Sequence, residues 1–199
     1  MVRRMMTAVF ALAALVGFTG TAVAAPASWE QVVQDYAWPP ADVTPVWETA
    51  AQLAVRTSGF AAREVELVTR VVRGSDVATG EWGHEAQGLF DGQQYVNNNV
   101  RFTTPRGEAG FFLQAHAPGH SSSSPAQLCS WSECTGAVRQ RDGGLVVFTE
   151  LPAWSMRTAY SFRPNGEVVY VSTRGEQLSD RVLARFAVDG AFSFARSSA

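Results

Sequence analysis

The segment that decides the fold is residues 145–173, LVVFTELPAWSMRTAYSFRPNGEVVYVST. Two runs rich in valine and aromatic residues, 156–162 and 167–173, flank Arg-Pro-Asn-Gly at positions 163–166. Proline at the second position of a turn and glycine at the fourth favour a tight reversal of the chain. The segment therefore predicts a β-hairpin.

Similar turn signals occur at two other places in the chain, again between runs of alternating or apolar residues. The additional predicted hairpins are 100–104 with 109–116, turning at 105–107, and 136–140 with 145–150, turning at 141–144. Three hairpins of this kind predict an antiparallel sheet.

Helical patterns precede the hairpins. Residues 28–36 place apolar side chains at helical spacing, and Ser28 with Gln31 fits a capping box. Thr44-Pro45 has the chemistry of a helix start, with threonine as N-cap and proline in the first turn. We therefore predict a second helix from this point to Gly59, where glycine favours a stop.

A last helix is predicted to begin near Ser179 and to end near Gly190. Together these elements predict a single α+β domain over residues 25–199. Its antiparallel sheet of hairpins is expected to be covered on one face by the N-terminal and C-terminal helices.

Three stretches have weaker patterns. Residues 61–73 match both helical and strand spacing, and their β-branched side chains favour a strand. Residues 74–94 contain several glycines and aspartates and predict mostly loop. The longest predicted loop is 118–130, which contains a polar run of serines at 121–124.

The composition excludes several classes of protein. The chain has 199 residues, is 46% hydrophobic and 17% charged, and carries a formal net charge of −2. This is too apolar for intrinsic disorder and too weakly basic for nucleic-acid binding, so no nucleic-acid partner is expected. All 16 basic residues are arginine, and lysine and isoleucine are absent, a bias that suggests a GC-rich genome.

Residues 1–24 have the form of a secretory signal peptide. Arg3 and Arg4 precede an apolar stretch over 5–18, and Ala22-Val23-Ala24 supplies the small residues of a cleavage site. An uncleaved N-terminal anchor is the alternative. Cleavage after Ala24 would leave 14 arginines against 18 acidic residues. We expect a secreted, extracellular protein with no stable membrane anchor after cleavage.

The two cysteines, Cys129 and Cys134, are separated by four residues. A disulfide is the expected state in an oxidising compartment. A redox pair usually has two intervening residues, and no further cysteine is present to complete a thiolate metal site. We therefore predict a structural disulfide.

Candidate catalytic and metal-binding residues are few. The only histidines are His84, His116 and His120. The Gly119-His120-Ser run lacks the final glycine of a hydrolase nucleophile elbow, and no histidine follows it. Pro118 and Gly119 prevent the helical geometry that makes a histidine pair a ready metal site. We expect no metal, no cofactor and two exposed histidines at a strand end.

Three tryptophans, Trp82, Trp131 and Trp154, lie in or beside predicted loops. Loop tryptophans either fill the ends of a sheet core, which we favour, or bind partners, since aromatic side chains are enriched at binding hot spots. An extracellular protein or a glycan is the expected kind of partner for the second role.

From Cys129 onward the chain resembles the C-terminal part of small uncharacterised exported proteins of actinobacteria. The shared features are the C-x4-C spacing, the turn at Asp142-Gly143, the Arg-Pro-Asn-Gly turn at 163–166 and the pattern of the last helix up to Phe192. Those relatives usually have aspartate where this chain has Asn165, and either residue tolerates the turn. The resemblance implies export and a similar general fold, and it gives no information about activity.

These observations favour an exported, non-catalytic binding or interaction domain. One alternative is a secreted hydrolase whose catalytic residues form no recognisable motif, so enzymatic activity stays open. Another is a secreted protease inhibitor, which would present an exposed loop between Gly119 and Cys134, braced by the disulfide.

Overall fold

The computed structural model describes residues 27–85, 93–121, 123–175 and 178–195. The predicted signal peptide, residues 1–24, lies outside these ranges. The strands are β1 Ser75–Thr79, β2 Gly83–Glu85, β3 Tyr95–Thr104, β4 Gly107–His116, β5 Glu133–Arg139, β6 Leu145–Leu151, β7 Met156–Phe162 and β8 Val168–Arg174. The α-helices are α1 Trp29–Gln34, α2 Ala50–Leu67, α3 Pro125–Trp131 and α4 Asp180–Ala187.

The strands form one antiparallel sheet with the order β1-β3-β4-β8-β7-β6-β5, and β2 pairs with β3. All three predicted hairpins are confirmed, as β3–β4, β5–β6 and β7–β8. The predicted α+β class is confirmed with them. The sheet joins the hairpins by pairing β4 with β8 and β6 with β7.

One face of the sheet carries the main core and is covered by α2 and α4. Phe186 of α4 packs edge-on against Phe111 of β4, with ring centroids 5.1 Å apart. The buried side chains of this core include Leu53, Phe60, Leu67, Val100, Phe102, Leu113, Val169, Val171, Leu183 and Phe192. Because side chains alternate along a strand, this face takes every second residue of each strand.

The other face is covered only in part, by α1 and α3. Val33 of α1 and Leu128 of α3 pack against Leu145, Val147 and Phe162, at the β5–β6–β7 side of the sheet. The N-terminal helix α1 therefore lies on the face opposite to α4, whereas the sequence placed both terminal helices on one face.

The predicted strand at 61–73 is wrong. Residues up to Leu67 continue α2, and a π-helical turn, Val68–Val72, follows it. Leu67 and Val68 reach the main core from this conformation. Packing of the helix against the sheet therefore outweighs the modest strand preference of β-branched residues.

The start of α2 also differs from the prediction. The helix begins at Ala50 rather than after Thr44-Pro45, because Thr49 and Gln52 form a capping box. Residues 43–49 belong to no helix or strand, and the Val46 N–H donates a hydrogen bond to the Pro118 carbonyl oxygen.

Two predicted loops contain regular structure. Residues 74–94 include β1 and β2, and both strands pair with β3. Most side chains of β1 are exposed or only partly buried, so apolar and polar residues alternate only weakly in its sequence. Residues 118–130 include most of α3, which begins after Ser124 with Pro125 in its first turn and Gln127 completing a capping box. This capping signal lay within the serine run and marks a helix start.

The predicted disulfide between Cys129 and Cys134 is confirmed. It joins α3 to the beginning of β5, and both cysteines pack against the smaller core. The disulfide therefore fixes the helix that covers this edge of the sheet.

The Arg163–Gly166 turn is joined to the segment after α4 by buried hydrogen bonds. Glu167 is fully buried and accepts hydrogen bonds from Ser193 Oγ and from the backbone N–H groups of Phe194 and Ala195. Arg163 donates to the carbonyl oxygens of Phe192, Ala187 and Asp189. The turn thus has a structural role, since it ties residues 192–195 to the sheet.

Arg56 of α2 holds the same segment from the other side. Its guanidinium donates to the carbonyl oxygens of Ser193, at 2.7 Å, and Phe194, at 3.3 Å. It also pairs with Glu48 and lies over the Phe194 ring. This buried charge is therefore compensated on several sides, as a buried guanidinium requires.

Candidate binding groove

The candidate site is the part of the second sheet face that α1 and α3 leave open. A groove of about 990 Å³ lies there, over β3, β4, β8 and β7. Its side chains include Asn99, Arg101, Phe112, Met156, Tyr160, Tyr170, Ser172 and Arg174. A volume of this size is within the range of small-molecule sites.

Strand register arranges these side chains in rows across the sheet. Asn99 pairs with Phe112, and Phe112 pairs with Ser172. One row further in, Gln114 pairs with Tyr170, and Tyr170 pairs with Tyr160. The rows place the aromatic side chains in the middle of the groove floor.

The outermost of these rows contains two arginines separated by a glycine. Arg101 pairs with Gly110, and the β4–β8 register places Arg174 on the other side of Gly110. A Cβ atom at Gly110 would lie 2.7 Å from the backbone oxygen of Val100, so a side chain does not fit here. A gap therefore separates the two guanidinium-bearing side chains.

Aromatic rings are in contact along the groove floor. The centroid of Tyr170 lies 5.0 Å from that of Tyr160 and 5.9 Å from that of Phe112. Burial raises the pKa of both tyrosines, and at Tyr170 the neighbouring Tyr160 and Tyr95 raise it further. Both phenols are therefore neutral at pH 7, and among the described residues none forms a hydrogen bond with either hydroxyl.

The inner end of this face is closed by the segment that follows α1. Trp38 packs edge-on against Phe162, with ring centroids 5.1 Å apart. Its indole N–H donates to the Ser121 carbonyl oxygen, at 3.0 Å. Tyr36 stacks on Trp38 and donates from its hydroxyl to the Phe162 carbonyl oxygen. The face is thus bounded by aromatic side chains at this end.

The outer end of the groove is open and charged. No described residue forms an ion pair with Arg101 or Arg174. Trp154 lies beside Arg174, whose guanidinium carbon is 5.8 Å from the ring centroid. Two carboxylates, Asp76 and Glu108, also line this end. Glu108 pairs with Thr103, one row further from the aromatic floor than Arg101.

The expectation of two exposed histidines is wrong. His116 and His120 are both buried. The Trp47 ring lies 4.1 Å from the His120 ring, and the rings of Tyr95 and Tyr170 lie beside His116. Burial, followed by the nearby His120, lowers the pKa of His116 to about 4. His116 is therefore neutral at pH 7, and Gln114 Nε2 lies 2.7 Å from its Nε2 atom.

The third histidine stands apart from these two. His84 is exposed on β2, paired with Val96. Among residues 27–85, 93–121, 123–175 and 178–195, no three His, Cys, Asp or Glu side chains are grouped closely enough to hold a metal ion.

The three loop tryptophans are in different environments. Trp82 packs against the main core, with its ring centroid 5.5 Å from that of Phe60. Trp131 and Trp154 are 64% and 65% exposed. Trp154 lies between β6 and β7, at the end of the sheet where Met156 pairs with Arg174. Of the predicted binding residues, Trp154 thus adjoins the groove through Arg174.

A buried carboxyl marks the opposite, helix-covered face. Glu64 of α2 is fully buried and accepts one hydrogen bond, from Asn98 Nδ2 at 3.0 Å. No described group bonds its other oxygen. Burial raises its pKa to about 8. It lies in the core and does not face the groove.

Sequence reasoning missed the groove, although one signal for it is present. From Tyr95 to Arg101 the odd-numbered positions are Tyr, Asn, Asn and Arg, while most even-numbered positions are valine. This alternation predicts one buried and one polar face for β3. Which polar side chains of other strands share that face depends on strand order, which the sequence leaves open.

The segment considered for protease inhibition has a different form from the one expected. Seven residues between Gly119 and Cys134 form α3. This helix packs on the smaller core through Leu128, and Gln127, Ser130 and Trp131 remain exposed on it.

Comparison of the chain with models of protein families, with curated proteins and with solved structures gives no match. Within the described residues, no helix is both long and apolar enough to cross a membrane.

Proposed function

We propose that this protein is an exported, non-catalytic binding domain that takes its ligand in the groove on the open face of the sheet. The observation that carries the proposal is the contrast between the groove and the rest of the molecule. On the covered face apolar side chains are packed beneath α2 and α4, whereas the groove has contacting aromatic rings, two phenol hydroxyls without a hydrogen-bond partner among the described residues and two arginines without an ion-pair partner there. Unpaired polar groups around an apolar floor are typical of a ligand site.

Export is part of the same proposal. The signal-like residues 1–24 support it, and the disulfide is compatible with an oxidising compartment. N-terminal sequencing of protein recovered from culture medium should begin at Ala25. Recovery of the protein with Met1 in a membrane fraction would contradict this part of the proposal.

Binding in the groove can be tested without knowing the ligand. Ligand-detected NMR with a mixture of lipids, oligosaccharides, peptides and aromatic acids should give at least one hit. Asn99→Trp would fill the groove from an exposed position on β3, and should abolish binding of that hit. Val65→Trp adds the same ring on α2, on the other side of the sheet, and should leave binding unchanged.

Two outcomes would contradict the proposal. One is the absence of a hit from every chemical class. The other is a hit that binds Asn99→Trp and the unaltered protein equally well, because that ligand would have to bind outside the groove.

A further inference from the structure

We infer that the groove binds an amphipathic anion, a molecule with one carboxylate or phosphate group joined to an apolar chain. The anionic group would lie between Arg101 and Arg174, and the chain would lie on Tyr170, Tyr160 and Phe112. This inference rests on the proposed function and adds the chemical class of the ligand.

The first reason is the arrangement of the two arginines. They flank Gly110 in one row, and the missing side chain leaves a gap between them. Guanidinium groups bind carboxylate and phosphate through paired hydrogen bonds, and two such groups can share one anion. Neither guanidinium is paired with a described carboxylate.

The second reason is that charged and aromatic side chains occupy different ends of the groove. Moving inward from the arginines, the next rows contain Phe112, then Tyr170 with Tyr160. The face is closed beyond them by Trp38 and Phe162. Charge is thus at the open end and apolar surface towards the closed end, which matches a molecule with one charged end.

The positions of the two carboxylates at the open end are also compatible with an anion bound at the arginines. Glu108 lies one row outside the arginines, and Asp76 is exposed with its carboxylate hydrogen-bonded to Ser75. An anion seated at the arginines would therefore contact guanidinium groups before it reaches a carboxylate. Glu108 also provides a matched control, because it has the opposite charge at the same end of the groove.

Binding should be measured by calorimetry with dodecyl phosphate and dodecanoate below their micelle concentrations. Both should bind one to one. Dodecyl maltoside, dodecyltrimethylammonium and inorganic phosphate should each bind at least about tenfold more weakly, because each lacks one half of the required chemistry. Affinity for the two anions should fall as salt is added.

Replacement of both arginines, Arg101→Gln with Arg174→Gln, should weaken dodecyl phosphate binding by at least about tenfold. Binding of dodecyl maltoside should not change. Glu108→Gln should tighten dodecyl phosphate binding, because it removes a negative charge from the same end of the groove. The arginines are exposed, so the double variant should unfold at the same urea concentration as the unaltered protein.

The inference fails if dodecyl maltoside binds as tightly as dodecyl phosphate, or if the double arginine variant binds dodecyl phosphate normally. The inference also fails if an acidic oligosaccharide binds and dodecyl phosphate does not. That result would support an anion site but would contradict the proposal that the ligand has an apolar chain. In each case loss of the observed binding in Asn99→Trp would still support the proposed function. Unchanged binding of every probe in Asn99→Trp would overturn both.

Discussion

The two faces of the sheet use neighbouring residues of the same strands for different purposes. Phe111 is 4% exposed and packs against α4, while Phe112 points to the opposite side and lines the groove. On the covered face, apolar side chains fill the space between the sheet and two helices. On the open face, aromatic rings lie beside amides, hydroxyls and guanidinium groups.

This difference separates stability from binding in a way that can be tested. Residues of the covered face should determine the free energy of unfolding, since burial of apolar surface is its main source. Residues of the open face should contribute less to stability and more to ligand affinity. Four sets of substitutions follow, from the largest expected effect to the smallest.

The largest effect is expected for Phe111→Ala, which should lower the free energy of unfolding by about 3–5 kcal/mol because it leaves a cavity in the core. Phe112→Ala, one residue further along the same strand, should cost only about 1 kcal/mol, because that side chain is half-buried. Urea unfolding of both variants measures the difference. Equal losses would contradict the division between the faces.

Glu64→Gln should stabilise the protein by about 3 kcal/mol at pH 7. The Glu64 pKa rises from 4.5 in the unfolded chain to about 8 in the folded protein. Below pH 4.5 the carboxyl is neutral in both states. Between pH 4.5 and 8 only the unfolded chain ionises, so the free energy of unfolding falls as pH rises and levels off above 8.

This pH dependence should disappear in Glu64→Gln, which can be measured by urea unfolding at pH 5, 7 and 8.5. Glu66→Gln is the matched control, two residues further along α2. It removes ion pairs with Arg63 and Arg70 that are partly exposed, so it should cost less than about 1 kcal/mol. A decrease in stability at neutral pH for Glu64→Gln would refute the prediction.

Removal of the disulfide should have an intermediate effect. Replacement of Cys129 and Cys134 by serine should lower the free energy of unfolding by roughly 2 kcal/mol, because the loop that the disulfide closes is short. Mass spectrometry of the unaltered protein should show two hydrogens fewer than the reduced form. Two thiols that alkylate readily without reductant would contradict the bonded state.

The smallest effect on stability is expected for the exposed tryptophans. Trp131→Ala and Trp154→Ala should each change the free energy of unfolding by no more than about 0.5 kcal/mol. Trp82→Ala is the control, and should cost several times more because its ring packs on Phe60. If Trp154→Ala nevertheless weakens ligand binding, that tryptophan belongs to the groove through its contact with Arg174.

The sequence predicts the hairpins well because each depends on local chemistry. A turn such as Arg163–Gly166 specifies its geometry through proline and glycine, and the strands beside it alternate. Helix α2 was predicted less well, because Val65 and the β-branched residues of 68–72 favour a strand locally, and their helical state depends on contact with the sheet. Local preference and tertiary packing disagree there, and packing determines the outcome.

The candidate site was less predictable than the fold. The groove places Arg101 of β3 and Arg174 of β8 on the two sides of Gly110, although they are 73 positions apart in the chain. Nothing near either arginine indicates the other, because β8 reaches β4 only through the sheet order. The histidines were misjudged for a related reason, since Trp47 covers His120 from a distant segment. Trp154, which adjoins the groove through Arg174, was named as a possible binding residue because aromatic side chains are enriched at binding hot spots.

The contact between Arg56 and Ser193 spans 137 residues of sequence. Ribosomes add about 5–20 residues per second, so on the order of 10 s pass between synthesis of the two residues. During that interval α2 lacks the carbonyl groups that compensate its buried guanidinium, and Phe192 and Phe194 are not yet present to complete the core. The core of the covered face can therefore be completed only after residues 192–194 have been made.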